Sequence, residues 1–179
     1  IFSIFIIKVI LLTQTTNLWE LCYQDNIAPR APEEIIQTRD YEFSCEKNYQ
    51  FNTHEKTTYV KEVYEEIAPH FSNTRVYKWS WVIDFLDSLK KDAIVYDLGC
   101  GNGRNMDHGS LKFIGIDNCE NFVKICHKKN LNVINANMVK IPLQNNSADA
   151  IICIAVLHHL ASEKSRIDAL LEMKRLIKK

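Results

Sequence analysis

Asp97-Leu98-Gly99-Cys100-Gly101-Asn102-Gly103 is the stretch on which the fold turns. It follows a short apolar run, Ala93–Leu98, and carries glycine at three alternate positions. Glycine adopts left-handed backbone angles without a Cβ penalty and lets a ligand approach the main chain. An apolar strand running into such a loop predicts a sharp turn that opens a helix, whose free N–H groups can meet an anion. Lys112–Asp117 (KFIGID) reads as the next strand and ends in a carboxylate, 18 residues beyond Gly99. A carboxylate there can accept hydrogen bonds from a ribose diol. The loop and Asp117 together predict a nucleoside-containing cofactor. A dinucleotide fingerprint reads GxGxxG, whereas Gly103 here is followed by Arg104 and Asn105. The spacing therefore disfavours a nicotinamide cofactor without excluding it.

Outward from this centre, strands and helices alternate. Glu120–Asn130 reads as a helix with Phe122, Ile125 and Cys126 inward, Asn132–Ala136 as a third strand, and Ala148–Val156 (ADAIICIAV) as a fourth. The nearly all-apolar fourth run suits a strand buried on both faces. Ser162 is placed to cap a last helix, with Ile167, Leu170, Leu171 and Ile177 assigned to its buried side. Upstream, Val60, Val63, Tyr64, Ile67 and Phe71 recur at helical spacing from Thr57, with Pro69 expected to end or bend that helix. Trp81, Val82, Phe85, Leu86 and Leu89 mark a second helix, and Trp79 and Trp81 read as core. The alternation predicts an α/β fold with a parallel sheet and flanking helices.

The chain has 179 residues, of which 46% are hydrophobic and 25% charged, enough for one domain with an added segment. Lys+Arg and Asp+Glu both number 22, so no global field selects nucleic acid or a membrane. Residues 1–56 hold 5 basic and 8 acidic residues, leaving the remainder mildly basic, which permits an RNA partner. The six cysteines form no CxxC pair and no zinc spacing, so no metal is expected and a reducing compartment is. Ile1–Leu12 (IFSIFIIKVILL) is too short to span a bilayer as a helix. It reads as a buried strand, as residues outside the mature fold, or as the apolar part of a signal peptide, though a basic flank and a cleavage site are missing. Residues 1–55 are read as an extension or linker and 56–179 as a partial catalytic domain.

DLGCGNG resembles the first motif of class I S-adenosylmethionine-dependent methyltransferases. Residues 59–179 resemble the tRNA wobble-uridine carboxyl methyltransferases, the family that includes the domain fused to AlkB-type oxygenases. Val63–Arg75 (VYEEIAPHFSNTR) carries the most specific part of the likeness, with FIGID, ANMVKIPL, IAVLHHL and Arg166–Ile177 (RIDALLEMKRLI) beside it. The resemblance implies a Rossmann-like sheet, incomplete here after the fourth strand, and S-adenosyl-L-methionine as cofactor. It implies that Gly99, Cys100, Gly101 and Gly103 pass the methionine moiety and that Asp97 holds its amino group. Asp117 would bind the ribose, with Asn137 and Met138 near the adenine. Asn137 stands where the family usually has Asp. Ala155 would line the methionine end through its backbone, with Tyr64 and Arg75 in the covering helices. His158 is favoured as a substrate-pocket residue and its neighbour His159 as a structural one. Lys78, Lys124, Lys128, Lys129 and Lys140 are candidate RNA contacts. The implied acceptor is the carboxylate of carboxymethyluridine in tRNA, and the implied partner a small zinc-binding activator subunit. The implied setting is the cytoplasm, with the nucleus as a second site. Two other readings stay open: a truncated remnant that only binds cofactor or a partner, and a small-molecule methyltransferase. Without a following strand, AIICIAV is expected to leave an open apolar edge.

Overall fold

The computed structural model describes residues 9–12, 53–74 and 77–179. The elements are β1 (Val9–Leu12), α1 (Thr53–Thr74), α2 (Ser80–Asp87), β2 (Ile94–Leu98), β3 (Lys112–Asp117), α3 (Glu120–Lys128), β4 (Val133–Asn135), β5 (Ala150–Ile154) and α4 (Glu163–Leu176). A single 3-10 turn, Leu157–His159, follows β5. The five strands pair in parallel in the order β1-β5-β2-β3-β4.

β2 and β5 lie at the centre, and their side chains alternate between two cores. Tyr96, Leu98, Ile151 and Cys153 pack on one face with Ala169, Met173 and Leu176 of α4. Val95, Ala150, Ile152 and Ile154 pack on the other with Val82 and Leu86 of α2. Burial on both faces is why β5 carries no polar residue. The chain winds outward from β2 through β3 to β4, then crosses to the opposite side of β2 as β5. Ligands of open α/β sheets collect at such a reversal, beyond the strands' C-terminal ends.

Four expectations need correction. The β5 edge is not open: Val9–Leu12 pairs along it, from Val9 opposite Ile151 to Leu12 opposite Ile154. That pairing occupies backbone groups that an edge strand would leave exposed. Helix α1 does not end at Pro69 but runs on to Thr74. Ala68 and Phe71, on either side of the proline, pack with Cys119 and Phe122 of the next layer, and this packing holds the turn together. The last helix buries Ala169, Met173 and Leu176, while Ile167, Leu170 and Leu171 are 49%, 40% and 57% exposed. Ser162 does cap it, accepting the Ser165 N–H at 3.0 Å. Finally, no helix follows the glycine loop. Residues 104–111 form turns, held by Arg104 N–H donating to Asn102 Oδ1 and by Met106 N–H donating to the Gly103 carbonyl. Eight residues with Gly109 among them, ending in β3, leave little room for a helix.

Among the described residues no helix is long and apolar enough to cross a membrane.

Candidate active site

The glycine loop crosses the C-terminal end of β2 with Gly99, Gly101 and Gly103 at φ +71°, +53° and +74°. The three glycines serve different ends. A Cβ on Gly99 would stand 2.4 Å from Val156, and one on Gly103 2.4 Å from Leu131. These two are glycines because the chain's own side chains press on them. A Cβ on Gly101 would meet only the Phe71 ring edge, at 3.9 Å. Gly101 therefore borders open space in front of the sheet.

Val156 reaches Gly99 because Ala155 turns the chain sharply after β5. Ala155 has φ +56°, a left-handed conformation unusual for a residue with a side chain. Such strain collects at functional sites and persists where packing over-determines it.

Asp97 is the next-to-last residue of β2 and Asp117 the last of β3. Asp117 Oδ2 accepts the Gly101 N–H at 2.8 Å, and Oδ1 accepts the Cys119 N–H at 2.9 Å. Burial raises its pKa, against the opposing pull of these N–H groups and that of Asn118. Asp97 is 1% exposed, and among the described residues its Oδ2 has no hydrogen-bond partner. Burial pushes its pKa to about 7, opposed by a hydrogen bond from Asn105 and reinforced by the Asp117 charge. A buried carboxylate oxygen left without a partner is costly. A cationic donor on a ligand would satisfy it.

Helix α1 covers this end of the sheet. Glu65 accepts the Glu120 and Asn121 N–H groups at 2.6 and 2.9 Å, so a carboxylate of the covering helix caps α3. Asn102 Nδ2 donates to the Ser72 carbonyl at 3.1 Å. The Tyr64 hydroxyl is hydrogen-bonded to His159 Nε2 at 2.9 Å, and the Tyr64 ring meets Phe71 and Phe122 edge-on or tilted. His159 is held neutral, its pKa lowered to about 4 by burial and by His158. The His158 ring lies against it at a tilt of 49°, centroids 4.0 Å apart, with its own pKa lowered by burial.

Of the residues singled out in the sequence, the structure gathers Tyr64, Asp97, Gly99, Gly101, Gly103, Asp117 and Ala155 at these strand ends and their cover. Cys100 lines the loop with its backbone alone: its side chain is buried in a cluster with Met106 and Cys126. Met138 likewise turns into the core, 7% exposed, leaving its backbone to the surface. Asn137 is exposed, and its Oδ1 accepts the Val139 N–H at 3.1 Å. Arg75 lies outside the described residues. Glu65, Asn102 and Asn105 were not among the residues singled out from the sequence. Asn105 had a visible signal, a polar residue shortly after the glycine loop. Glu65 had none, because its partners lie 55 and 56 positions away.

This sheet reversal, glycine loop and pair of strand-end carboxylates define a class I methyltransferase fold, and a family model described as a methyltransferase domain matches residues 96–179. The fold is shared with phosphoethanolamine N-methyltransferase 1 of Haemonchus contortus, solved with phosphoethanolamine and S-adenosylhomocysteine. Its TM-score is 0.59 at 17% identity, over 73% of this chain and 32% of that one. Within the class, the chain is similar to tRNA carboxymethyluridine methyltransferases. The tRNA (carboxymethyluridine(34)-5-O)-methyltransferase of Arabidopsis thaliana is 45% identical over 121 residues, 67% of this chain and 30% of the relative. The Schizosaccharomyces pombe protein of the same name is 38% identical over 118 residues, 65% and 51%. The chain thus spans between about a third and a half of these relatives' lengths.

Proposed function

We propose that this chain binds S-adenosylmethionine at the ends of β2 and β3 and methylates the carboxylate of carboxymethyluridine at the wobble position of tRNA. The observation that carries the cofactor part is the buried Asp97 oxygen, without a hydrogen-bond partner among the described residues, on the strand that leads into the loop where Gly101 borders open space. The substrate part rests on the activity in the names of the two relatives.

The residues present fit the cofactor. Asp97 would hold its amino group, Gly101 would let the methionine chain lie against the backbone, and the remaining lone pairs of Asp117 would take the ribose hydroxyls. Once bound, S-adenosylmethionine supplies an electrophilic methyl group on a sulfonium. The acceptor carboxylate is ionised at neutral pH, with a reference pKa of about 4, and needs no general base. The protein's part is to position the acceptor and exclude water. His158 and His159 are both neutral at pH 7 by the direction of their shifts, so they act as hydrogen-bonding groups rather than cations. We assign His158, the more exposed of the two, to the acceptor side, and Tyr64–His159 to holding α1 over the site. The cation that orients the acceptor is assigned to Arg75. A small zinc-binding activator subunit and a cytoplasmic or nuclear setting belong to the same proposal and rest on the family resemblance.

Calorimetric titration with S-adenosylhomocysteine, beside Asp117→Ala, tests the cofactor part. Saturable binding that the variant loses supports it, and no binding by the folded wild type sinks it. Methyl transfer from labelled cofactor to an anticodon stem-loop bearing carboxymethyluridine, with unmodified uridine as control, tests the substrate part.

A further inference from the structure

Between α1 and α2, residues 77–79 form an irregular segment bonded to the turns that follow the glycine loop. Tyr77 is 79% exposed and Trp79 36% exposed, so the expectation that Trp79 belongs to the core does not hold. The Trp79 ring stacks on Trp81, centroids 5.6 Å apart and planes 24° from parallel. The Arg104 guanidinium lies 4.7 Å from the centre of the Trp79 ring, and its Nη1 donates to the Tyr77 carbonyl at 3.4 Å. Lys78 Nζ donates to the Asp107 carbonyl. Arg104 is the residue after Gly103, so this aromatic segment is fastened directly to the loop.

We propose that Tyr77, Trp79 and Arg104 form a stacking surface for bases of single-stranded RNA that flank the methylated nucleotide. The inference rests on the RNA substrate proposed above. Large aromatic rings left in water have no purpose in the core, whereas a guanidinium on an indole fixes an exposed ring in orientation without burying it. Single strands are recognised by such platforms, because every base has a π face and Arg stacks on it as aromatics do. Lys78 and Arg104 supply positive charge for the phosphates. Placement decides the role: an acceptor nucleotide reaching the cofactor in front of Gly101 brings its neighbours past residue 104.

The test is fluorescence anisotropy of a 5′-fluorescein-labelled ten-nucleotide oligouridylate, titrated with the wild type, Tyr77→Ala, Tyr77→Phe and Arg104→Lys. Affinity should fall roughly 5- to 100-fold in Tyr77→Ala. Tyr77→Phe should bind as the wild type, and Arg104→Lys, which keeps charge but loses the plane, should be weakened. Unchanged affinity in Tyr77→Ala overturns the surface. So does equal competition by a ten-base-pair RNA duplex, which would mean charge alone, or no RNA binding by the wild type, which would leave the patch to a protein partner. S-adenosylhomocysteine titrations on the same samples separate the two claims. Variants that bind cofactor normally while RNA affinity is unmoved remove only the stacking surface. A wild type that binds no cofactor removes the methyltransferase reading itself.

Discussion

The backbone N–H of Gly101 donates to the Asp117 carboxylate at 2.8 Å, so the loop after β2 and the acid ending β3 form one hydrogen-bonded unit. The carboxylate proposed for the ribose is thus oriented by the glycine proposed for the methionine chain. Asp117→Asn keeps an acceptor but loses charge assistance. It should weaken S-adenosylhomocysteine binding by roughly tenfold while leaving the melting temperature within a few degrees.

The glycines divide by function. Gly99→Ala and Gly103→Ala should each cost about 2 kcal/mol or more, since each adds a left-handed Cβ and a clash at 2.4 Å. Gly101→Ala meets nothing closer than 3.9 Å and should cost about 1 kcal/mol from its backbone angle alone. It should nonetheless lose cofactor affinity disproportionately. Thermal melts and calorimetry on the three variants would read the division, and equal affinity loss per unit of stability lost would refute it.

Cofactor affinity should rise with pH. Asp97 has a pKa of about 7, raised chiefly by burial. Below that value the site carries a proton that an incoming ammonium must displace. S-adenosylhomocysteine should therefore bind more weakly at pH 6 than at pH 8, with proton release measurable by calorimetry in buffers of different ionisation enthalpy. Asp97→Asn should be weak and flat across that range.

Stability should respond to pH through two opposed groups. The Asp97 pKa is raised from 3.8 to about 7, so the folded state holds more protons than the unfolded one between those values and stability falls as pH rises. The His159 pKa is lowered from 6.5 to about 4, so the unfolded state holds more protons in that window and stability falls as pH falls. Removing one exposes the other. Denaturant midpoints of Asp97→Asn should climb from pH 4 to 6.5, and those of His159→Gln should decline from pH 4 to 7.

Glu65 ties the covering helix to α3 through two backbone N–H groups. Burial alone would raise its pKa, but bonds from Asn121 and Glu120 outweigh this and hold the carboxyl below its usual value. Glu65→Ala should cost about 1 kcal/mol, the worth of a helix cap. Limited proteolysis should cut α1 sooner in the variant, and an unchanged cleavage pattern would mean that packing alone holds the helix.

Sequence by itself determined the elements that depend on neighbours in the chain. The apolar runs of β2, β3 and β5, the left-handed glycines, the strand-end carboxylates Asp97 and Asp117 and the Ser162 cap all follow from backbone sterics and short periodicities. Only the tertiary structure decided what depends on distant partners. Hydrophobic spacing marked an apolar face on α4, yet the sheet took Ala169 and Met173 and left Leu170 and Leu171 in water. The cover on the β5 edge comes from Val9–Leu12, some 140 residues upstream. Asp97 became a buried acid without a full set of partners because the fold closed around its strand. Three glycines that look alike in sequence were separated by Val156, Leu131 and Phe71, none of them adjacent to the loop. The physical reason is one of range: local propensity is encoded within a few residues, whereas burial, clash and desolvation arise only when remote segments pack together.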